Sequence, residues 1–428
     1  MQKFKFKIGK KEFNYSWVIF AVSFLMVFVS LGFINTVKSL YLAPITNETG
    51  ISRMVFSLSD CCRYIVIAGM NMMFGTFINK FNPRAMVAFG FGFLIIAVTL
   101  YSIAHTAIVF CIGGVFLGLG LAWTTTTMVG FFVEKWFTTA KGSVMGIILA
   151  ASGAGGAVAT QIMSPIINYS ASSWRQGYRL MAVILLVTGV LVVLLLRNNP
   201  KEVGMKPFSK KGGEKKKRGS SWTGFEEKDI FRKSWFYVVI GCFLFYGILL
   251  QAYVSTAAAH FRDIGIDNTT IANVISIYSV CLFIAKMAVG ALFDRFGLRK
   301  VLTVCSIGGA ATLFFLANVG NSSAVYIYAP LSVFALPIET VLLPLLTLDL
   351  FGQKAYARIM GIIVGTVQLG YCGGSLIPNY FFDRFGTYRG IYTVFGCLVI
   401  VTVIAVNFCI TKAHKERKLL EAAQEQTE

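Results

Sequence analysis

Met145-Gly146-Ile147-Ile148 recurs 215 residues later as Met360-Gly361-Ile362-Ile363. The same offset lays Gly32 on Gly247, Gly50 on Gly265, Gly75 on Gly290 and Gly155 on Gly370. One shift that serves five separate places marks an internal duplication in parallel orientation. Around these anchors each copy holds six mainly apolar stretches, most of them at or above the ~20 residues that carry a helix across a bilayer. In the first copy they fall at 15–40, 53–79, 85–104, 106–134, 141–168 and 176–197. In the second they fall at 234–260, 268–293, 299–319, 323–350, 356–382 and 388–411.

Composition agrees with a lipid-embedded chain. Hydrophobic residues make up 56% of the sequence, charged residues only 14%, and mean hydropathy is +0.70. A water-soluble protein of this size needs far more polar surface. The 41 glycines and 38 phenylalanines suit helices that touch closely and fill their gaps with aromatic rings. The nine cysteines sit in apolar stretches without metal-ligand spacing and read as small packing residues. The basic start, Lys3 to Lys11, runs straight into a full-length span, so no cleavable signal peptide is expected.

A net charge of +20 would suggest nucleic acid in a soluble protein. Here the basic residues collect at the ends of apolar spans, with no basic groove interleaved with stacking aromatics, and nucleic-acid binding is excluded. Lys3, Lys5, Lys7, Lys10 and Lys11 precede span 1, and Lys80 and Arg84 follow span 2. Lys135 and Lys141 follow span 4, Arg295, Arg299 and Lys300 follow span 8, and Lys412, Lys415, Arg417 and Lys418 follow span 12. Because basic loops stay inside, both termini are expected in the cytoplasm of a cell (inner) membrane. The one long polar stretch, 198–233, carries Lys210, Lys211, Lys215, Lys216, Lys217 and Arg218 among Gly and Ser. It reads as a flexible basic linker, with a short interfacial helix near Trp222 to Lys233. The expected organisation is a six-helix bundle at 1–197, the linker at 198–233, and a second six-helix bundle with a cytoplasmic tail at 234–428.

Ionisable groups at bilayer depth are costly unless paired or hydrated, which makes them candidates for function. Lys286 in span 8 lies eight residues before Asp294, about 12 Å of helix, beyond the reach of a snorkelling stem. It reads as a substrate-binding cation facing a wet cavity, with a structural ion pair or a snorkelling anchor as the other option. Arg63 in span 2 has Asp60 three residues earlier on the same face. That spacing fits a local ion pair, and a guanidinium facing the cavity would equally grip a carboxylate with two parallel hydrogen bonds. Lys38 lies 21 residues past Trp17, about 31 Å along the first helix, and is expected near the outer surface, as an anchor or as a cavity cation. Under the repeat, Lys38 falls on Tyr253 and Arg63 on Tyr278. Glu339, near the middle of span 10, would balance a cation, carry a proton, or bridge to Lys286. Gln251, Gln368 and Trp123 join Tyr253 and Tyr278 as weaker lining candidates.

The loop after span 8 reads Gly290-Ala-Leu-Phe-Asp294-Arg295-Phe-Gly297-Leu-Arg299-Lys300, and a weaker copy after span 2 keeps Gly75, Asn79, Lys80 and Arg84. This resembles the signature gating loop of major facilitator transporters. Asn35-Thr-Val-Lys38-Ser39-Leu-Tyr is similar to the first-helix lysine segment of monocarboxylate transporters, and Ala285-Lys286-Met-Ala-Val-Gly290 resembles their eighth-helix motif with lysine in place of arginine. Trp136-Phe137-Thr-Thr-Ala-Lys141-Gly142 with Ala151-Ser152-Gly153 is similar to their helix 4–5 signature and to bacterial oxalate–formate exchangers. The resemblance implies the major facilitator fold, an all-α membrane protein with twelve transmembrane helices in two six-helix halves, and it places Lys38 and Lys286 on the substrate carboxylate. Ile275 stands where that family has an acid eleven positions before the eighth-helix cation, and Gln368 occupies the region of the exchangers' eleventh-helix lysine.

The expected function is secondary active transport of a small organic anion, monocarboxylate-like, by rocker-switch alternating access, with proton symport or anion exchange and without a cofactor. Partners would be the anion, a proton and the lipid bilayer, with the monomer as the working unit. An efflux pump for amphiphilic drugs on the same fold is the alternative; it would use Glu339 to attract cations. An enzyme is not expected, because His105, His260 and His414 are scattered and no nucleophile–base or metal-ligand spacing occurs.

Overall fold

The uniformly apolar runs leave the backbone no polar partner except itself, and helices are the result. The computed structural model describes residues 7–8, 11–12, 14–138, 141–170, 172–208, 225, 227–320, 324–334, 346–347, 350–351 and 356–425. The first half comprises α1 (Ser16–Thr49), α2 (Arg53–Met72, continued by Phe74–Lys80), α3 (Pro83–Ile103), α4 (Ala107–Thr124, continued by Thr126–Trp136), α5 (Lys141–Ile167) and α6 (Trp174–Leu195). The second comprises α7 (Ser234–Asp263), α8 (Asn268–Phe296), α9 (Leu298–Asn318), the short α10 (Tyr328–Ser332), α11 (Tyr356–Phe385) and α12 (Arg389–Glu425).

Ten of these helices are long and apolar enough to cross a membrane on composition alone. α2 falls short because Arg53, Asp60 and Arg63 dilute its hydropathy, and all three are buried by packing. Most of the expected span 10 lies outside the described residues. Lipid-facing surface shows on α6, where Val183, Leu186, Val187, Val190 and Leu194 stand exposed in one stripe at helical spacing.

Two boundaries differ from the sequence expectation. α1 does not stop near residue 40 but runs to Thr49, through a π-helical stretch at Phe28–Thr36, and ends at Gly50. α12 continues past residue 411 to Glu425, and within this extension Glu416 pairs with Lys233 and accepts a hydrogen bond from Trp235.

The duplication is visible in three dimensions. α1 packs on α5 and α7 on α11, and each crossing is set by repeat-related glycines. A Cβ on Gly32 would lie 2.6 Å from Gly155 Cα, and one on Gly370 would lie 2.9 Å from Gly247 Cα. Neither site has room for a side chain. Gly50 and Gly265 end α1 and α7 at φ of +69° and +87°, the left-handed region that glycine enters without cost. Contacts between halves run along two seams, α2 on α11 and α5 on α8, with the last turns of α1 against α7.

The described ends of the linker attach at repeat-related carbonyls. Phe208 donates its N–H to Trp136 O, and Phe225 donates to Phe351 O. The expected short helix appears as a single turn at Glu227–Ile230. Tyr15 reaches Leu195 O and Lys233 reaches Glu416, so the start of α1, the end of α6, the start of α7 and the late turns of α12 lie at one end of the bundle, the terminal end. The opposite end is the distal end.

Candidate functional site

The charged residues expected at bilayer depth in the first half come together. Asp60 and Arg63 project from one face of α2 towards α1, and Arg63 Nη2 lies 2.9 Å from Asp60 Oδ1. The same oxygen receives Lys38 Nζ at 2.5 Å. Arg63 Nη1 donates to Asn35 Oδ1 at 2.7 Å, and Asn35 lies in the π-helical stretch of α1, a distortion that re-aims side chains. Side-chain exposure of Lys38, Asp60 and Arg63 is 11%, 8% and 3%. The cluster holds two cations and one carboxylate. Arg63 Nε is buried and makes no hydrogen bond among the described residues.

Lys38 is therefore not at the outer surface, as its distance from Trp17 suggested. α1 continues eleven residues beyond it to Thr49, about 16 Å of further helix. The anchor reading of Lys38 is corrected by this extension.

In the second half Lys286 Nζ reaches across the α5–α8 seam to Ser152 Oγ at 3.1 Å. Close approach there depends on Gly153, where a Cβ would meet Ser279 O at 2.5 Å. The repeat equivalents of the first-half cations have a different setting. Tyr253 is buried and donates to Ser332 O, and Tyr278 stacks on Tyr328 with ring centroids 5.8 Å apart. Gln368 Oε1 is buried without a hydrogen bond among the described residues. Trp123 packs between Phe77 and Phe93 within the first half. Glu339 lies outside the described residues.

The gating-loop residues are divided. Arg84 Nε donates to Val193 O at the end of α6, and Asn79 is exposed. Gly297 turns the chain between α8 and α9 at φ +78°, and Arg299 donates to Asn407 of α12. Arg295 is exposed beside Phe296. Gly75 and Gly290 lie inside α2 and α8, and the side chain of Asp294 is outside the described ones.

Sequence reasoning missed the distal end. Arg53 makes a two-pronged pair with Asp263, Nη1–Oδ2 at 2.6 Å and Nη2–Oδ1 at 2.7 Å, joining α2 to the end of α7. Asp383 of α11 accepts the backbone N–H groups of Arg53 and Met54 at the start of α2, where a helix favours an anion. Phe382 stacks under the Arg53 guanidinium at 3.8 Å, and Asn379 donates to Ser57. Beside the second seam Arg262, at the end of α7, donates to Asn168, just past the end of α5, at 2.6 Å. Among the described residues, cross-half side-chain hydrogen bonds run from the Lys286–Ser152 pair outward to this end. The only sequence signal was unlike charges at the ends of spans 2, 7 and 11, far apart in the chain.

A duplicated helical bundle with buried charge between its seams defines a polytopic membrane carrier. Residues 19–261 and 245–427 match the model of the Major Facilitator Superfamily. The chain belongs to that superfamily, and its relatives are transporters, not enzymes. It is 23% identical over 398 residues to a glycerol-3-phosphate transporter of Bacillus subtilis, covering 85% of this chain and 86% of that protein. It is 22% identical over 418 residues to a probable sulfoacetate transporter, SauU, of Cupriavidus necator, covering 93% and 95%. It is also 22% identical to monocarboxylate transporter 12-B of Danio rerio over 396 residues, covering 83% and 79%. The crystal structure of the nucleoside transporter NupG shares the fold with a TM-score of 0.71 at 10% identity, over 94% of this chain and all of that one.

Proposed function

We propose that this chain carries small organic anions across a membrane by alternating access of its two halves. The observation that carries this reading is the Lys38–Asp60–Arg63 cluster, which holds two cations and one carboxylate among the described residues. Lys38 and Arg63 share one carboxylate, and Lys286 stands on the other half beside Ser152. Unbalanced charge in a low-dielectric interior is costly, and a bound anion removes that cost. In this reading Arg63 and Lys286 grip the anion, Lys38 completes the positive field, and Asp60 balances charge when the site is empty. Glycerol-3-phosphate, sulfoacetate and monocarboxylates, named in three relatives, are all anions, and this supports the class. An amphiphile pump for cations would need the opposite surplus.

The distal seams are the closed gate in this reading. Arg53 must leave Asp263 and Asp383 for that end to open. Both termini stand in the cytoplasm of a cell membrane, which makes the distal end the outer face.

The test is uptake of labelled carboxylates, sulfonates and phosphate esters into proteoliposomes, with and without a pH gradient. Lys286→Ala and Arg63→Gln are each expected to lose at least about tenfold in uptake, the equivalent of one charged hydrogen bond. Stimulation by inward proton flow marks symport, and stimulation by internal anion marks exchange. Wild-type uptake in both variants would rule out the assignment.

A further inference from the structure

The seam between α2 of the first half and α11 of the second is held in register at more than one level. Asn379 Nδ2 donates to Ser57 Oγ at 2.8 Å, and the rings of Tyr64 and Tyr371 meet edge to face with centroids 5.1 Å apart. Between these contacts the two helices present Cys61 and Cys372 to each other, both as free thiols. Cys61 Sγ donates to Cys372 O at 3.4 Å, and Cys372 Sγ lies 3.7 Å from Cys61 O. The thiol groups are also in hydrogen-bonding contact with one another. Each sulfur touches the other residue, so a bond between them needs no large helix movement. Cys61 is buried and Cys372 half-buried. The neighbouring Cys62 meets Cys111 of α4 instead, within the first half, and a bond there would not join the halves.

We propose that Cys61 and Cys372 form a redox lock: hydrogen peroxide joins them as a disulfide, which ties α2 to α11 with the distal end closed and stops transport until a thiol reductant releases it. The inference rests on the alternating-access reading and adds a means of regulating it. Position gives the bond its leverage. Cys61 lies eight residues from Arg53, about 12 Å of helix inward of the distal end. Opening of that end must part α2 from α11 at Asp383 and at the Ser57–Asn379 pair. A covalent tie just inward of both holds them together. The chemistry balances. Peroxide is neutral and close to water in size, and it follows water into the seam when the distal end opens. One thiol gives up its proton as its sulfur attacks a peroxide oxygen; the O–O bond breaks, water leaves and a sulfenic acid remains. When the seam closes, the second sulfur displaces the hydroxyl of that acid and the S–S bond forms. The second thiol proton leaves with the hydroxyl as a second water. The two thiols lose two electrons, and one peroxide takes them up.

The test uses the full chain in proteoliposomes, treated with hydrogen peroxide and then with dithiothreitol. Non-reducing digestion and mass spectrometry should find the Cys61 and Cys372 peptides joined, lighter by two hydrogens than their sum. Anion uptake should fall by the fraction cross-linked and return on reduction, a reversal that needs no variant. Cys61→Ser and Cys372→Ser should each transport as reduced wild type does and keep that uptake in peroxide. Cys62→Ser should remain sensitive. Deuterium exchange is read in parallel at the amides of Arg53 and Met54, which bond to Asp383 while the distal end is closed. Exchange there should slow in oxidised wild type and not in oxidised Cys372→Ser. Absence of the joined peptides, or cross-linked protein whose uptake and exchange match the reduced form, would overturn the inference. If reduced wild type transports and peroxide leaves uptake intact, only the lock is lost. If no anion is carried yet oxidation slows the exchange, the lock stands and the transport reading fails.

Discussion

At positions related by the 215-residue shift, the two halves share a backbone but bury different chemistry. Lys38, Asp60 and Arg63 of the first half correspond to Tyr253, Ile275 and Tyr278 of the second. The first set forms a charged cluster. The second is neutral: Tyr253 bonds to a backbone carbonyl and Tyr278 stacks on Tyr328. The distal seams show the same divergence. The Arg53 guanidinium pairs with Asp263 and its backbone N–H donates to Asp383, whereas its equivalent, Asn268, accepts bonds from Arg262 of its own half. Asp383, which caps α2, corresponds to Asn168, which accepts from Arg262. Helix caps and glycine crossings therefore survived duplication while the polar interior diverged. A symmetric shell holds an asymmetric site, and the distal end of one seam is closed by an ion pair while that of the other is closed by Arg262 on the amide of Asn168.

Removing the acid of the charged cluster should break the comparison most severely. Asp60→Asn strands Lys38 and Arg63 without a counter-charge, at a cost of about 3–5 kcal/mol. The expected result is a marked fall in the thermal midpoint of the purified protein, and an unchanged midpoint would show that the cluster is hydrated rather than dry. The equivalent change in the second half, Ile275→Val, should cost only about 0.5–1.5 kcal/mol.

The seams should differ in the next largest degree. Arg53→Gln removes charged hydrogen bonds worth about 1.5–3 kcal/mol each. Pairs of spin labels across the distal end should report a shift towards longer distances. Asn168→Ala, on the amide seam, should shift the same distances less. Equal shifts from both would mean that the gate is set by helix packing rather than by charge.

The smallest difference is expected where the halves agree. Gly155→Ala and Gly370→Ala each force a Cβ into a helix crossing, and overpacking of this kind costs about 1–3 kcal/mol. Comparable losses in thermal midpoint would confirm that the crossings are equivalent. A loss confined to Gly155→Ala would mean that the π-helical stretch of α1 makes its crossing the more rigid.

Much of the fold was legible because the forces that set it are local. An apolar run must close its own hydrogen bonds in lipid, so the positions of α3, α5 and α7 followed from hydropathy. Gly50 and Gly265 were legible as repeat partners, and the structure shows them ending α1 and α7 in a backbone conformation that glycine enters readily. The i, i+3 pairing of Asp60 with Arg63 followed from helical spacing alone. The depth of Lys38 did not. Residues 41–49, with Pro44, Asn47 and Glu48, look too polar to prolong a span, yet Glu48 accepts a hydrogen bond from Trp174 and pairs with Arg175. The distal latch was invisible because Arg53 meets Asp263 and Asp383 at separations of 210 and 330 residues.

The sequence by itself determined the duplicated helical architecture and singled out Lys38, Asp60 and Arg63 as charges within apolar spans, since periodicity, hydropathy and a fixed offset are properties of the chain alone. Only the tertiary structure decided which charges meet, because each pairing needs helices distant in sequence brought to one depth and rotated to one face. Lys38 and Arg63 converge on a single oxygen of Asp60, and Arg53 on carboxylates of the other half, through helix packing that no local pattern encodes.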